Sequence, residues 1–124
     1  MVSAIVTTNT IPNCVAFTQH GKHLLVPQYK GYAGGAGRMI KEAGLGQTQM
    51  WRENLRSEIQ IIGVGGITSG RDAVEYFWAG ADAVQMTTAL LSKGLLDPQP
   101  LERVTMEFVE LAHLIPRFAA TVGE

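Results

Sequence analysis

EIQIIGVGGITSGRDAVEYFWAGADAVQMTTALL, from Glu58 to Leu91, reads as strand, glycine loop, helix and strand. Ile59, Ile61, Ile62 and Val64 form an apolar, β-branched run of the kind that a parallel sheet covered on both faces needs. Gly63, Gly65 and Gly66 end that strand with residues that let a ligand approach the main chain closely. Thr68 or Ser69 can cap the helix that follows, Ala73, Val74, Phe77 and Trp78 recur at helical spacing, and Gly80 sits where a left-handed stop residue belongs. Ala83 to Met86 is then a second short buried strand, ending in the hydroxyl pair Thr87 and Thr88.

Free backbone N–H groups at a glycine turn and a helix N-terminus suit an anion, so this arrangement points to phosphate binding shared by two adjacent strand ends. The other reading is that the glycines serve only the close packing of strand against helix; the flanking βαβ context favours phosphate.

The whole chain has 124 residues, enough for one domain, and 46% hydrophobic content argues against disorder. Ten basic and eleven acidic residues give a net charge of -1, so neither nucleic acid nor an anionic membrane is an expected partner. The single cysteine, Cys14, forms no internal disulfide and no CxxC metal knuckle. No secretory signal or bilayer-length apolar run stands out, and the expected location is the cytoplasm.

Outward from the central stretch, Ala4 to Thr8 is a β-branched run that can be a strand, followed at once by Asn9, Thr10, Ile11, Pro12 and Asn13. Asn9, Thr10 and Asn13 there either hydrogen-bond a small polar substrate at a strand's carboxyl end or simply make a turn. Cys14 to Gly46 is irregular and glycine-rich, with a small strand possible over His23 to Val26. The stretch Lys30 to Gly37 either folds its backbone over a cofactor or is a linker. His20 and His23 lack a third ligand nearby, so no metal site is expected. Gln47 to Arg56 reads as a helix, as does Pro100 to about Leu114, where Leu101, Val104, Phe108, Leu111 and Ile115 form one stripe. The domain is expected over residues 1–116, with a poorly ordered tail over 117–124. Asp72 and Glu75 are read as surface charges at the start of their helix. Walker-type lysine, GxSxG and HExxH motifs are absent, which disfavours hydrolases.

Three stretches, NTIPN (Asn9 to Asn13), KGYAGGAG (Lys30 to Gly37) and the central one up to Leu90, together resemble the C-terminal half of a dihydroorotate dehydrogenase of the soluble, fumarate-type class. The resemblance implies an α/β fold: the C-terminal part, about three βα units, of a TIM (β/α)₈ barrel, incomplete by itself, since such a barrel takes about 250 residues. It further implies FMN as cofactor. Asn9 and Thr10 would hold the substrate's ring and carboxylate, Gly34 and Gly35 would lie beside the flavin, and Gly65, Gly66, Thr87 and Thr88 would grip the FMN phosphate.

The reaction so implied is oxidation of dihydroorotate to orotate in de novo pyrimidine synthesis. The family's base-bearing loop, its flavin-contacting lysine and its other substrate asparagines would precede Met1, so no catalytic residue is assigned in this chain. Thr87 stands where most members have glycine, Cys14 likewise follows NTIPN where glycine is usual, and Cys14 to Tyr29 matches no family motif. Three parallel strands alone leave edges unpaired and an apolar face open, so a second chain or a second copy is expected to complete the barrel. Two alternatives stand beside this reading: a related flavin barrel of the dihydropyrimidine dehydrogenase type, and an inactive half-barrel serving as a binding or assembly module.

Overall fold

The computed structural model describes residues 1–24, 30–92 and 95–122. Among them, β1 (Ala4–Thr7), β4 (Gln60–Val64) and β5 (Ala83–Gln85) form a parallel sheet in the order β1-β4-β5. In β4, Ile61 and Gly63 are buried towards the helices, whereas Ile62 and Val64 on the opposite face are only half-buried. Val6, paired with Ile62, is 56% exposed. The sheet is therefore covered on one face within this chain, and not on both as the apolar run suggested. Because the strands are parallel, their carboxyl ends emerge along one rim, and that is what gathers the site.

The covered face carries α1 (Lys41–Asn54) and α2 (Gly70–Trp78), with α3 (Gln99–Leu111) packed on α2. Helix α2 starts at Ser69, whose side chain accepts from the Asp72 amide while Asp72 reaches back to the Ser69 amide, a reciprocal capping box. Its apolar face differs from the expected one in one position. Trp78 is half-exposed, and Tyr76 is instead the fully buried aromatic of the helix, beside the buried Ala73 and Val74. The Tyr76 ring fills the space over Gly63 in β4, its hydroxyl lies under Gly44 in α1, and a Cβ at either glycine would collide with it. The same hydroxyl donates to the Gly65 carbonyl at 2.8 Å. Burial first, then the charges of Asp72 and Glu42, push its pKa up to about 12.

This tyrosine explains why α1 begins well before the expected Gln47. Its buried face is Lys41, Gly44 and Thr48, a stripe too small and polar to register as hydrophobic periodicity. Tyr76→Phe keeps the ring and leaves the Gly65 carbonyl without its donor. It is expected to cost about 1 kcal/mol, read as a lower urea midpoint with unchanged slope.

Two more elements depart from expectation. The stretch around Lys30 to Gly37 contributes β3 (Ala33–Gly35), antiparallel to β2 (Ile11–Cys14), and then a 3₁₀ turn over Gly37–Ile40. Gly35 is buried against Cys14, where a Cβ would come within 2.5 Å of Sγ. Of the strand expected over His23 to Val26, His23 makes one bridge to Phe17, while Leu25 and Val26 lie outside the described residues.

The chain from Arg117, expected to lack order, forms α4 (Pro116–Val122). Arg117 is its anchor: the guanidinium pairs with Asp82 at 2.9 Å and donates to the Ala81 carbonyl at 2.6 Å. Ile115, just before it, is buried, as is Val104 from the α3 stripe; Leu101 is exposed.

Candidate functional site

A cleft of about 680 Å³ opens at the carboxyl rim of the sheet. Small-molecule sites span about 300–1,000 Å³, so a nucleotide-sized ligand is within its reach. Asn9 and Thr10 beyond β1, Gly65 and Gly66 beyond β4, and Thr87 and Thr88 beyond β5 all line it. Gly34 and Gly35 do not; the same stretch supplies Ala36, Gly37 and Arg38 instead. Gly34 packs on Thr10, where a Cβ would come within 2.5 Å of Oγ1. Close pairing of β2 and β3 accounts for both residues, and from β3 they steer Gly37 and Arg38 to the cleft.

The rim offers donors in a specific pattern. Gly65 and Gly66 turn the chain with φ of 131° and 67°, a region that favours glycine. Among the described residues the amides of Gly66, Ile67, Thr87 and Thr88 have no hydrogen-bond acceptor, whereas the parallel pairing of Val64 with Gln85 turns the Gly65 amide towards β5. The N-terminus of α2, expected to share in the anion grip, does not. Its Thr68 and Ser69 amides donate to Asp72, at 2.9 and 3.0 Å, and its Gly70 amide donates to Glu107 at 2.7 Å. Capacity for an anion therefore rests on the glycine turn and on Thr87 and Thr88. At the β1 end, the Asn9 side-chain oxygen accepts from the Thr10 amide at 2.8 Å. Its amide nitrogen is left pointing to no acceptor among the described residues. Apolar wall comes from Val6, Ile40, Val64 and Met86.

Asp72 and Glu75 are not surface charges. Asp72 is 5% exposed, and its carboxylate accepts from Lys41 and from Arg38 on one oxygen, and from the Thr68 hydroxyl and the two loop amides on the other. Lys41 also pairs with Glu75. Burial would raise the Asp72 pKa, but the bonds from Lys41, Thr68 and Arg38 outweigh it and hold the carboxyl far below the usual range. Burial would likewise lower Lys41, and its two carboxylate partners raise it instead. The sequence carried a signal for this arrangement: Ser69-x-x-Asp72 is a capping-box spacing, which turns the acid back onto its own helix start. Glu107, tied to the Gly70 amide and to Arg103, is also held below its ordinary pKa.

Among the described lining residues Arg38 is the one charged side chain, and it is a cation. Reading the stretch for its glycines passed over it; a lone arginine closing a glycine run before a helix was the available signal. No group of three or more potential metal ligands occurs among the described residues, and no helix there is long and apolar enough to cross a membrane.

Comparison with known proteins gives a consistent result. The family model described as Dihydroorotate dehydrogenase matches residues 1–109. A probable dihydroorotate dehydrogenase A (fumarate) of Enterococcus faecalis is 33% identical over 103 residues, covering 83% of this chain and 32% of that protein. A putative dihydroorotate dehydrogenase A (fumarate) of Streptococcus pyogenes is 38% identical over 100 residues, covering 77% and 31%. A crystal structure of DHODH from Eimeria tenella in complex with ferulenol matches with a TM-score of 0.66 at 25% identity, covering 91% of this chain and 28% of that one. The chain thus spans about a third of the length of the relatives it matches, and its βα units have the fold of part of a TIM barrel.

Proposed function

This chain belongs to the dihydroorotate dehydrogenase family, and from that premise we propose that it forms the FMN-phosphate site and part of the substrate site of a barrel that oxidises dihydroorotate to orotate. The reaction belongs to pyrimidine biosynthesis, and the expected compartment is the cytoplasm. The observation that carries the reading is the set of four acceptor-free amides, of Gly66, Ile67, Thr87 and Thr88, at two neighbouring strand ends, in one cleft with no acidic lining residue among the described residues.

FMN fits that donor set. Its phosphate would be held at the turn of Gly65 and Gly66, through the Gly66 and Ile67 amides, and by Thr87 and Thr88, while the apolar wall from Ile40 and Met86 would take a less polar part of the molecule. When bound, the flavin supplies hydride acceptance. The chain's own residues bind and orient: Asn9 presents its amide nitrogen, and Thr10 its hydroxyl, to a ring carbonyl or carboxylate of dihydroorotate. Gly34 and Gly35 act one step back, setting the path of Ala36 and Gly37 along the flavin. No side chain lining the cleft is assigned as proton acceptor. That group would come from the units that complete the barrel, on a second chain or a second copy. The half-exposed Val6, Ile62 and Val64 face and the outer edges of β1 and β5, unpaired among the described residues, are the surfaces such units would cover.

Titrating the purified chain with FMN, followed by quenching of flavin fluorescence, is expected to give saturable binding. Binding alone should not give dihydroorotate-dependent bleaching, which is expected only once the complementing units are present. Absence of binding at millimolar FMN would favour the inert module. Bleaching by a reduced uracil in place of dihydroorotate would favour the dihydropyrimidine dehydrogenase type.

A further inference from the structure

We propose, resting on the flavin reading above, that Arg38 is the counter-charge for the nucleotide's phosphate and confers preference for FMN over the uncharged riboflavin. Free amides alone orient an anion without neutralising it. Arg38 lines the same cleft next to Gly37, whose carbonyl lies 3.1 Å from where a Gly66 Cβ would stand, and its side chain is 60% exposed. One guanidinium nitrogen, Nη1, donates to Asp72 at 2.9 Å. The remaining N–H groups donate to no acceptor among the described residues, and a planar guanidinium with spare donors suits a phosphate's paired oxygens.

Asp72 does not cancel this charge one for one, because Asp72 and Glu75 together pair with three cations, Arg38, Lys41 and Arg71. What Asp72 does is position. One of its oxygens holds the guanidinium, and the other holds the Thr68 and Ser69 amides that end the glycine turn. A single buried carboxylate thereby fixes the cation and the far end of the turn that carries the free Gly66 and Ile67 amides, so both reach an anion without reordering. A surface salt bridge with only a stabilising role would need neither the cleft position nor the spare donors.

The test is a pair of titrations, FMN and riboflavin, on the wild-type chain, Arg38→Gln and Arg38→Lys, each checked for a cooperative thermal melt. Arg38→Gln is expected to weaken FMN binding about tenfold or more and to leave riboflavin binding unchanged, with Arg38→Lys in between. Wild-type FMN affinity in a folded Arg38→Gln variant overturns the assignment. Equal loss of both flavins also overturns it, since that pattern reports a structural role. A wild-type chain that binds neither flavin removes the flavin reading itself, a failure distinct from the other two, and Arg38 loses its ligand with it.

Discussion

Asp72→Ala is expected to cost the fold about 3–5 kcal/mol, a large share of the roughly 5–15 kcal/mol that holds a small domain together. The loss follows from what the substitution leaves behind. The Lys41 ammonium, with a side chain only 7% exposed, would keep Glu75 as its remaining carboxylate partner. The Thr68 and Ser69 amides and the Thr68 hydroxyl would lose their acceptor together. Helix α2 would also lose half of its capping box. Asp72→Asn should cost less, since an amide oxygen still accepts from the loop, yet it removes the charge that Lys41 and Arg38 face. Urea unfolding of the two variants would show the order wild type, Asn, Ala. Equal stabilities would mean that the buried carboxylate costs as much to desolvate as it contributes.

The same group sets an acid limit. A carboxyl whose folded pKa lies below its ordinary 3.8 binds its proton more readily in the unfolded chain. Its stabilisation is therefore complete at pH values well above 3.8 and is lost progressively as the pH falls below that value towards the depressed folded pKa. Unfolding midpoints measured from pH 6 downward should be flat at first and then fall steeply in acid. In Asp72→Asn the fall should be shallower, leaving only what Asp82 and Glu107, both also held low, contribute.

How much of this was legible in the sequence depended on which force built each part. Strand β4, the position of β5 and the turn between β4 and α2 were readable because their signals are local: a β-branched run, glycines in sequence, a hydroxyl cap. Strand β5, expected to be buried, leaves Ala83 and Gln85 exposed because no further strand covers it among the described residues. The cleft's position at the strand ends followed from parallel topology alone. Three features were not readable, each made by a contact distant in sequence. Tyr76 outranks Trp78 as the core aromatic because Gly44 and Gly63 leave room for its ring. Helix α4 is held by Arg117 on Asp82 and on the Ala81 carbonyl, a pairing invisible in a short, weakly periodic tail. Asp72 looked like a surface acid because helical spacing predicts which face a residue takes, but not that Lys41 and Arg38 arrive from the preceding βα unit. The glycines of Lys30 to Gly37 were recognised as a group, and which of them reach the cleft was decided by the pairing of β2 with β3.

Gly66→Val is expected to abolish FMN binding, a loss of at least a hundredfold, even where the chain still folds. Gly66 sits at φ 67°, a conformation that costs a β-branched residue about 1–3 kcal/mol. A Cβ there also comes within 2.7 Å of the Lys41 Cβ and 3.1 Å of the Gly37 carbonyl, atoms at the start of α1 and of the 3₁₀ turn before it. Neither is the free end of a flexible side chain, so relief requires the loop to move off α1. That movement separates the Gly66 and Ile67 amides from Thr87 and Thr88, which sit on a different strand end and do not follow. Destabilisation alone is excluded by a matched control at Gly46. It lies in α1 with nothing within 4 Å of a new Cβ, so Gly46→Ala should be neutral or slightly stabilising with unchanged FMN affinity. Gly65→Ala is the graded case: its φ of 131° is unfavourable, yet its nearest contacts, at 3.1 Å, are to the Ile40 side chain, which can shift. Flavin affinity should then fall in the order Gly46→Ala, Gly65→Ala, Gly66→Val. A Gly66→Val chain that melts cooperatively and still binds FMN as tightly as wild type would place the phosphate elsewhere, and the claim that this turn grips it would be lost.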